Sequence, residues 1–473
     1  MMPDAPGSAA KISIRGGIGD DAAPDRTIDV GAALDAATFG RAHVAIFTLC
    51  LLLMLLDGYE IYVLALLLRP ISIDFGVTAS ALTPVVVAQT AGLVAGSYLI
   101  APFADRWGRR PLLIGCTAAF AALTGLAGLT DGVVPLAAIR FLSAMAFSAA
   151  MANGFSIAAE IFPLRRRGNL LVLLSCGFVA GPLLAAGATA LLLPAFGWRS
   201  LFIAGCIIPL ALLVPLWLLL PESLRFMVRR DVPPARIASA LRRFAPRVPV
   251  TPETIFVLRE TATTDAASVA DLLRGRQAPA TLLNWLIFLL SGATIALLGA
   301  WLPTIYAESA GLTYAEARNL TAIFGASGFA GTIILGFTID RFRGSARLLW
   351  PMFAIAAAAI LALALAGART PEALLALIMA GAFLLTAQGA LYSLTPALYP
   401  TRLRATGVGW SVGAGRAGGL IGAALGGALL TASLGMLQIF GLLAILLGCC
   451  AIAAFAFSLV SSGSSRQAHP RKE

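Results

Sequence analysis

The sequence predicts an all-α membrane protein of twelve transmembrane helices in two pseudo-symmetric six-helix bundles. Three observations carry that expectation. Of 473 residues, 59% are hydrophobic and only 12% are charged, where soluble domains carry about 25% charge. Apolar stretches of about 20 residues, the length that crosses a bilayer, recur along the whole chain. Polar motifs then repeat between the two halves at nearly one offset. A soluble core cannot hide this much apolar surface, and lipid is the solvent that accepts it.

Residues 1–42 are polar and rich in Gly, Ala and Asp, without the basic region and cleavage site of a signal peptide. They predict a disordered cytoplasmic tail, with the N-terminal region set at 1–43. Six spans are expected at 44–68, 80–102, 111–129, 134–161, 168–194 and 198–220, forming a bundle over 44–220. A polar linker covers 221–280. Six more spans follow near 281–306, 314–338, 348–367, 372–398, 405–431 and 434–460, forming a bundle over 281–460, with a tail at 461–473. Backbone groups in lipid must bond within their own segment, which selects helices. The alternating period of a membrane barrel is absent.

Arginines give the orientation. Gaps after spans 2, 4, 8 and 10 hold Arg106, Arg109, Arg110; Arg165, Arg166, Arg167; Arg341, Arg343, Arg347; and Arg402, Arg404. The opposite gaps hold Arg69, Arg199, Arg318 and Arg369. That asymmetry places the first set, the linker and both termini in the cytoplasm. The linker carries Arg225, Arg229, Arg230, Arg236, Arg242 and Arg243 around amphipathic pieces such as 235–244. It reads either as a segment on the membrane surface or as a solvated connector. The net charge of +11 follows from these gaps and implies no nucleic-acid partner. The six cysteines lie inside apolar runs without metal-ligand spacing, and read as small packing residues.

The internal repeat is explicit. The gap after span 2 reads A-P-F-A-D-R-W-G-R-R (101–110), and the gap after span 8 reads G-F-T-I-D-R-F-R-G (336–344). Asp105 and Asp340 lie 235 residues apart, and each precedes an arginine. The end of span 4, E-I-F-P-L-R-R-R-G (160–168), matches L-Y-P-T-R-L-R-A-T-G (398–407), with Pro163 and Pro400 lying 237 apart. Parallel halves of this kind build transporters whose site lies near midplane at their interface.

Ionisable groups at a helix centre cost about 2.5–3.5 kcal/mol each on insertion scales, so the few present are the functional candidates. Span 1 carries D-G-Y-E, with Asp57 and Glu60 three apart on one face. Paired carboxylates in a low-dielectric cavity suit proton carriage. A permanent ion pair with Arg140 or Arg416 is the structural alternative. Span 11 carries G-W-S-V-G-A-G-R-A-G-G (409–419), which puts Arg416 near midplane among small residues. Arginine does not usefully deprotonate, so it suits a carboxylate clamp or a partner for Asp57 and Glu60. A purely structural interhelical pair stays open. Arg140 in span 4 snorkels or pairs. Gln388 and Tyr392 share a face of span 10. Tyr59, Tyr62, Asn153, Asn284 and Trp285 supply further aromatic or hydrogen-bonding candidates.

The D-R-W-G-R-R gap and the P-E-S-L-R after span 6 (221–225) resemble the major facilitator superfamily, apart from Ala101 where that family usually has Gly. The resemblance implies a gating set of Asp105, Arg106, Gly108, Arg109, Arg140, Glu160, Asp340 and Arg341. Asp105 would cap the start of span 11 through the helix dipole, and Asp340 would do the same at span 5. Arg106 and Arg109 would pair with acids such as Glu160. Within the superfamily, D-G-Y-E together with 398–416 is similar to the aromatic acid:proton symporter family. That resemblance implies proton-coupled uptake of small aromatic carboxylates such as benzoate or hydroxybenzoates. Asp57 and Glu60 would carry protons, although position 60 is usually Asp. Arg416, Tyr59, Gln388, Tyr392, Trp285 and Asn284 would bind substrate. The expected partners are the aromatic acid and the bilayer, with the proton as coupling ion, no other cofactor, no metal and a monomeric carrier. A carrier of another organic anion, a sugar or a drug is the alternative within the fold, and a non-transporting membrane sensor is the alternative outside it. An enzyme is disfavoured, because no metal or nucleophile constellation is legible.

Overall fold

The computed structural model describes residues 27–251, 253–258, 269–274, 277–338, 346–399, 401–432 and 434–465. Twelve long helices occupy the twelve expected positions. The first six are α2 (Arg41–Phe75), α3 (Thr83–Ala95), α4 (Arg109–Ala127), α5 (Val133–Ile161), α6 (Leu164–Phe196) and α7 (Arg199–Leu219). A π-turn (Gly96–Ile100) and a 3-10 turn (Ala101–Phe103) extend α3. Two short helices follow, α8 (Leu224–Arg229) and α9 (Pro234–Phe244). The second six are α10 (Ala278–Ser309), α11 (Tyr314–Thr338), α12 (Leu349–Ala366), α13 (Pro371–Leu398), α14 (Thr401–Thr431) and α15 (Met436–Ser465). Eleven of the twelve are long and apolar enough to cross a membrane by length and composition, and α11 supplies a twelfth helix of 25 residues.

The packing repeats between halves. Helix α2 lies along α6 as α10 lies along α14, and α3 lies along α5 as α11 lies along α13. Likewise α4 packs on α7 as α12 packs on α15. Small residues set the closest of these approaches. A Cβ on Gly58 would stand 2.1 Å from the Phe178 carbonyl of α6, and one on Gly418 would stand 2.0 Å from the Leu289 carbonyl of α10. Lipid gives helices no hydrophobic reason to associate, so close backbone contact supplies the attraction. Large apolar side chains such as Val134, Leu191, Val214, Leu365 and Ile452 stay exposed on the outside, as a lipid-facing surface requires.

The halves meet through α3 with α14, α6 with α11, and α2 with α10. A continuous apolar core joins them toward the ends remote from the chain termini, with Leu67, Leu68, Ile71 and Leu82 from one half and Leu298, Leu302 and Ile305 from the other. There the Tyr314 hydroxyl donates to the Leu66 carbonyl at 2.9 Å.

Two expectations about the polar segments change. Residues 27–42 are ordered rather than a disordered tail. Thr27–Asp29 pairs in parallel with Ile255–Val257, and α1 (Val30–Asp35) follows it, capped by the Asp29 side chain. Val30 and Leu34 share an apolar cluster with Ile237, Leu241 and Phe244 of α9. The apolar face of α9 is therefore covered by the protein's own N-terminal segment and first bundle, which removes its need for a lipid surface.

Candidate functional site

Two carboxylates three residues apart on a helix differ by about 60° in direction, and here that angle separates them completely. Glu60 turns into the N-terminal bundle. It is 4% exposed, and its Oε2 accepts from Arg140 Nη1 at 2.8 Å. Gln89 of α3 holds the same guanidinium, accepting from Nε at 3.1 Å and from Nη2 at 2.7 Å. Arg140 Nη2 also reaches the Glu60 carbonyl at 3.4 Å, and the Phe202 ring lies 5.3 Å away. A buried ion pair holds only when further hydrogen bonds offset desolvation, and Gln89 together with the backbone provides them. Glu60 Oε1 is buried with no hydrogen-bond partner among the described residues.

Asp57 is half-buried and lies within electrostatic reach of Arg416 and of Glu60. Among the described residues no arginine is hydrogen-bonded to Asp57, whereas Glu60 is held by Arg140. Arg140 consequently belongs to this mid-membrane carboxylate site and not to a gate at the helix ends.

Arg416 reaches across the interface between the halves. Its Nη1 donates to the Leu93 carbonyl of α3 at 3.1 Å and to Ser148 Oγ of α5 at 3.4 Å. Ser148 and Ser97 also donate to that carbonyl, at 2.7 and 3.1 Å. The acceptor sits one turn before the π-turn of α3. Tyr392 lies within electrostatic reach of Arg416 and beside Gln388. The Tyr392 ring is 45% exposed and meets Phe288 edge-on at 5.1 Å. Trp285 stacks on Trp410 at 5.7 Å. Gln388 Oε1 and Trp285 Nε1 are buried and have no hydrogen-bond partner among the described residues.

Two expected wall residues lie elsewhere. Tyr59 is 2% exposed, and its hydroxyl donates to the Leu201 carbonyl at 2.9 Å, which ties α2 to α7 inside the first bundle. Asn284 is fully buried. It donates to Ser411 Oγ at 2.8 Å and accepts from Thr395 at 3.4 Å, which joins α10, α13 and α14. Both are spent on helix packing in this conformation.

At the helix ends nearest the termini, Gly108 has φ +98°. A Cβ there would stand 2.4 Å from Glu222 Oε2. Glu222 Oε1 accepts from the backbone N–H groups of Arg109 at 2.9 Å and Arg110 at 3.2 Å, capping α4 with a charge suited to its dipole. Arg109 pairs with Glu160, whose other oxygen accepts from Ser223 at 2.6 Å. Arg106 finds no acid among the described residues. Its guanidinium lies 6.0 Å from the Phe103 ring, and its carbonyl accepts from Arg230 at 2.8 Å. Asp105 lies on a single helical turn (Ala104–Trp107), and the description does not extend to its side chain. Asp340 and Arg341 lie outside the described residues.

Gln89, Ser148, Glu222 and Ser223 were not singled out from sequence. A lone Gln or Ser in an apolar helix carries no pattern. P-E-S-L-R is legible only as a family marker, because the helix that Glu222 caps begins far upstream in the chain.

Pseudo-repeated bundles around an interfacial arginine and mid-membrane carboxylates define a membrane transport protein. The profile described as Major Facilitator Superfamily matches residues 49–410 and 284–473, and the chain belongs to that family. It is 34% identical over 442 residues to a gallate transporter of Pseudomonas putida, covering 93% of this chain and 96% of that one. It is 33% identical over 399 residues to the 4-hydroxybenzoate transporter PcaK of Pseudomonas aeruginosa, covering 83% and 87% respectively. Among solved structures, a D-xylose-proton symporter superposes with TM-score 0.68 at 17% identity, covering 88% of this chain and 97% of that one. At that identity the likeness concerns the fold.

Proposed function

We propose that this carrier takes up small aromatic carboxylates together with protons across the bacterial inner membrane, with both termini in the cytoplasm. The observation that carries the reading is that Arg416 of the second half reaches Leu93 and Ser148 of the first, within electrostatic reach of Asp57. A fixed cation suits a carboxylate. Tyr392, Trp285 and Trp410 suit a ring. The relatives named for gallate and 4-hydroxybenzoate point to the same substrate class.

In this reading a proton on Asp57 removes a charge that would compete with the substrate carboxylate for Arg416. Neutralised charges then let the halves rock. The halves are joined toward the ends remote from the termini, which suits a chamber open to the cytoplasm. Glu60, held by Arg140, is the second carboxylate of the span. One proton per monoanion makes transport electroneutral, and a second adds about 2.3 kcal/mol per 100 mV of potential. Gln388, beside Tyr392, offers a hydrogen bond to a ring hydroxyl.

The test is uptake of labelled benzoate, 4-hydroxybenzoate and gallate by reconstituted vesicles under an imposed inward proton gradient. At least one acid is expected to accumulate, faster as external pH falls, and a protonophore is expected to abolish accumulation. Accumulation that ignores the gradient would reject proton coupling. Uptake of a sugar or drug with none of the acids would reject the substrate class.

A further inference from the structure

A cavity of about 120 Å³ opens near the helix ends that carry the termini, away from the Asp57–Arg416 region. Among the described residues it is lined by Arg109, Arg225, Arg229 and Arg230, with Ser223, Phe226 and the carboxylate of Glu160. That carboxylate is already taken by Arg109 and Ser223. Among the described residues, the lining therefore sets Arg225 and Arg230 beside an acid that Arg109 already holds. Arg225 Nε is buried and finds no hydrogen-bond partner among the described residues. A buried N–H without an acceptor is costly, and an anionic ligand supplies one. Arg230 is held at the rim by the Arg106 carbonyl at 2.8 Å and by the Phe226 ring at 5.7 Å. Guanidinium groups fixed in this way match the tetrahedral oxygens of a phosphate.

The surroundings indicate where the phosphate comes from. Arg110, next to Arg109, donates to the Trp217 carbonyl and lies 5.4 Å from its ring. Trp107 and Trp217 are each 64% exposed, and Leu218 is 67% exposed. Exposed tryptophans beside arginines mark the boundary between headgroups and acyl chains, and basic pockets at that level bind anionic headgroups. We infer that this cavity binds the phosphate of an anionic phospholipid, whose acyl chains lie on the outer face beside Trp217 and Leu218. Free phosphate shares the headgroup chemistry but leaves that apolar face unused. The inference does not depend on which solute is carried.

The experiment uses the full chain, purified in detergent and titrated with phosphatidylglycerol, phosphatidylcholine or inorganic phosphate, with native mass spectrometry counting bound lipid. Phosphatidylglycerol is expected to bind one per chain and to resist equal concentrations of inorganic phosphate, and phosphatidylcholine is expected not to bind. The pair Arg225→Gln/Arg229→Gln is expected to weaken phosphatidylglycerol about thirtyfold, and Arg225→Gln alone about fivefold. Lysine at both positions should restore only part of the affinity, because it keeps the charge and loses the guanidinium donors. Unchanged binding by both glutamine variants overturns the site. Displacement of phosphatidylglycerol by equal inorganic phosphate overturns the lipid assignment in favour of a free anion. The single variant decides the matter if the double variant does not fold.

Discussion

Two arginines sit in the middle of this membrane protein, and their surroundings differ in kind. Arg140 is 1% exposed. Its acceptors, Glu60 and Gln89, come from the same bundle, and one of them is a full charge. Arg416 is half-buried, and its hydrogen bonds go to a backbone carbonyl and a serine of the opposite bundle. A contact inside one rigid body survives when the two bodies rotate, whereas a contact between them must break. Arg140 is therefore built to persist through a transport cycle, and Arg416 is built to exchange partners. Arg416 is the stronger candidate for substrate contact because its present partners are neutral, and a carboxylate makes a stronger bond.

The contrast yields an ordered set of tests. The largest effect is expected from Glu60→Gln. It strips a buried guanidinium of its counter-charge, at a cost of about 3–5 kcal/mol, and thermal unfolding in detergent should show the loss. The double variant Glu60→Leu/Arg140→Leu is expected to recover most of that stability while failing to accumulate substrate. If Glu60→Gln unfolded like the parent, Arg140 would not depend on this pair. Arg416→Gln should leave stability nearly unchanged yet lower kcat/KM for uptake about a hundredfold, the scale of about 3 kcal/mol for a lost charged contact. A purely structural Arg416 would show the reverse pattern. Gln89→Leu is expected to cost about 1–3 kcal/mol, since it leaves two buried N–H groups of Arg140 without acceptors. Its unfolding should couple to that of Glu60→Gln in a double-mutant cycle. Gly108→Ala is expected to lower stability by about 1–2 kcal/mol through its left-handed backbone, with further loss where the new methyl meets Glu222. Glu222→Gln should cost about 0.3–1 kcal/mol, by weakening a helix-terminus charge interaction.

Much of this was legible in the sequence because lipid enforces it. Twelve apolar stretches, the repeated D-R motifs at 105 and 340 and the proline-arginine ends at 163 and 400 sufficed for the architecture. Asp57, Glu60 and Arg416 stood out because charge in mid-membrane is costly. The division of labour between Asp57 and Glu60 was not legible. Three residues of spacing puts both on one face, yet only Glu60 is taken by Arg140 of α5, and only the packing decides which. Tyr59 and Asn284 are polar residues in promising places that tertiary contacts spend on helix packing. Glu222 caps a helix that begins 113 residues earlier, a relation no local pattern carries. The order of residues 27–35 likewise depends on a strand from the distant linker.

The most direct measurement separates solute movement from proton drive at Asp57. Vesicles containing the Asp57→Asn protein are preloaded with unlabelled 4-hydroxybenzoate, or with whichever acid the parent accumulates, and assayed for counterflow of the labelled acid. The same vesicles, left empty, are then given an inward proton gradient. The expected result is that counterflow survives and uphill accumulation disappears, because the binding cation and ring wall remain while the exchangeable proton is gone. Full gradient-driven accumulation by the Asp57→Asn protein would contradict proton carriage by that carboxylate.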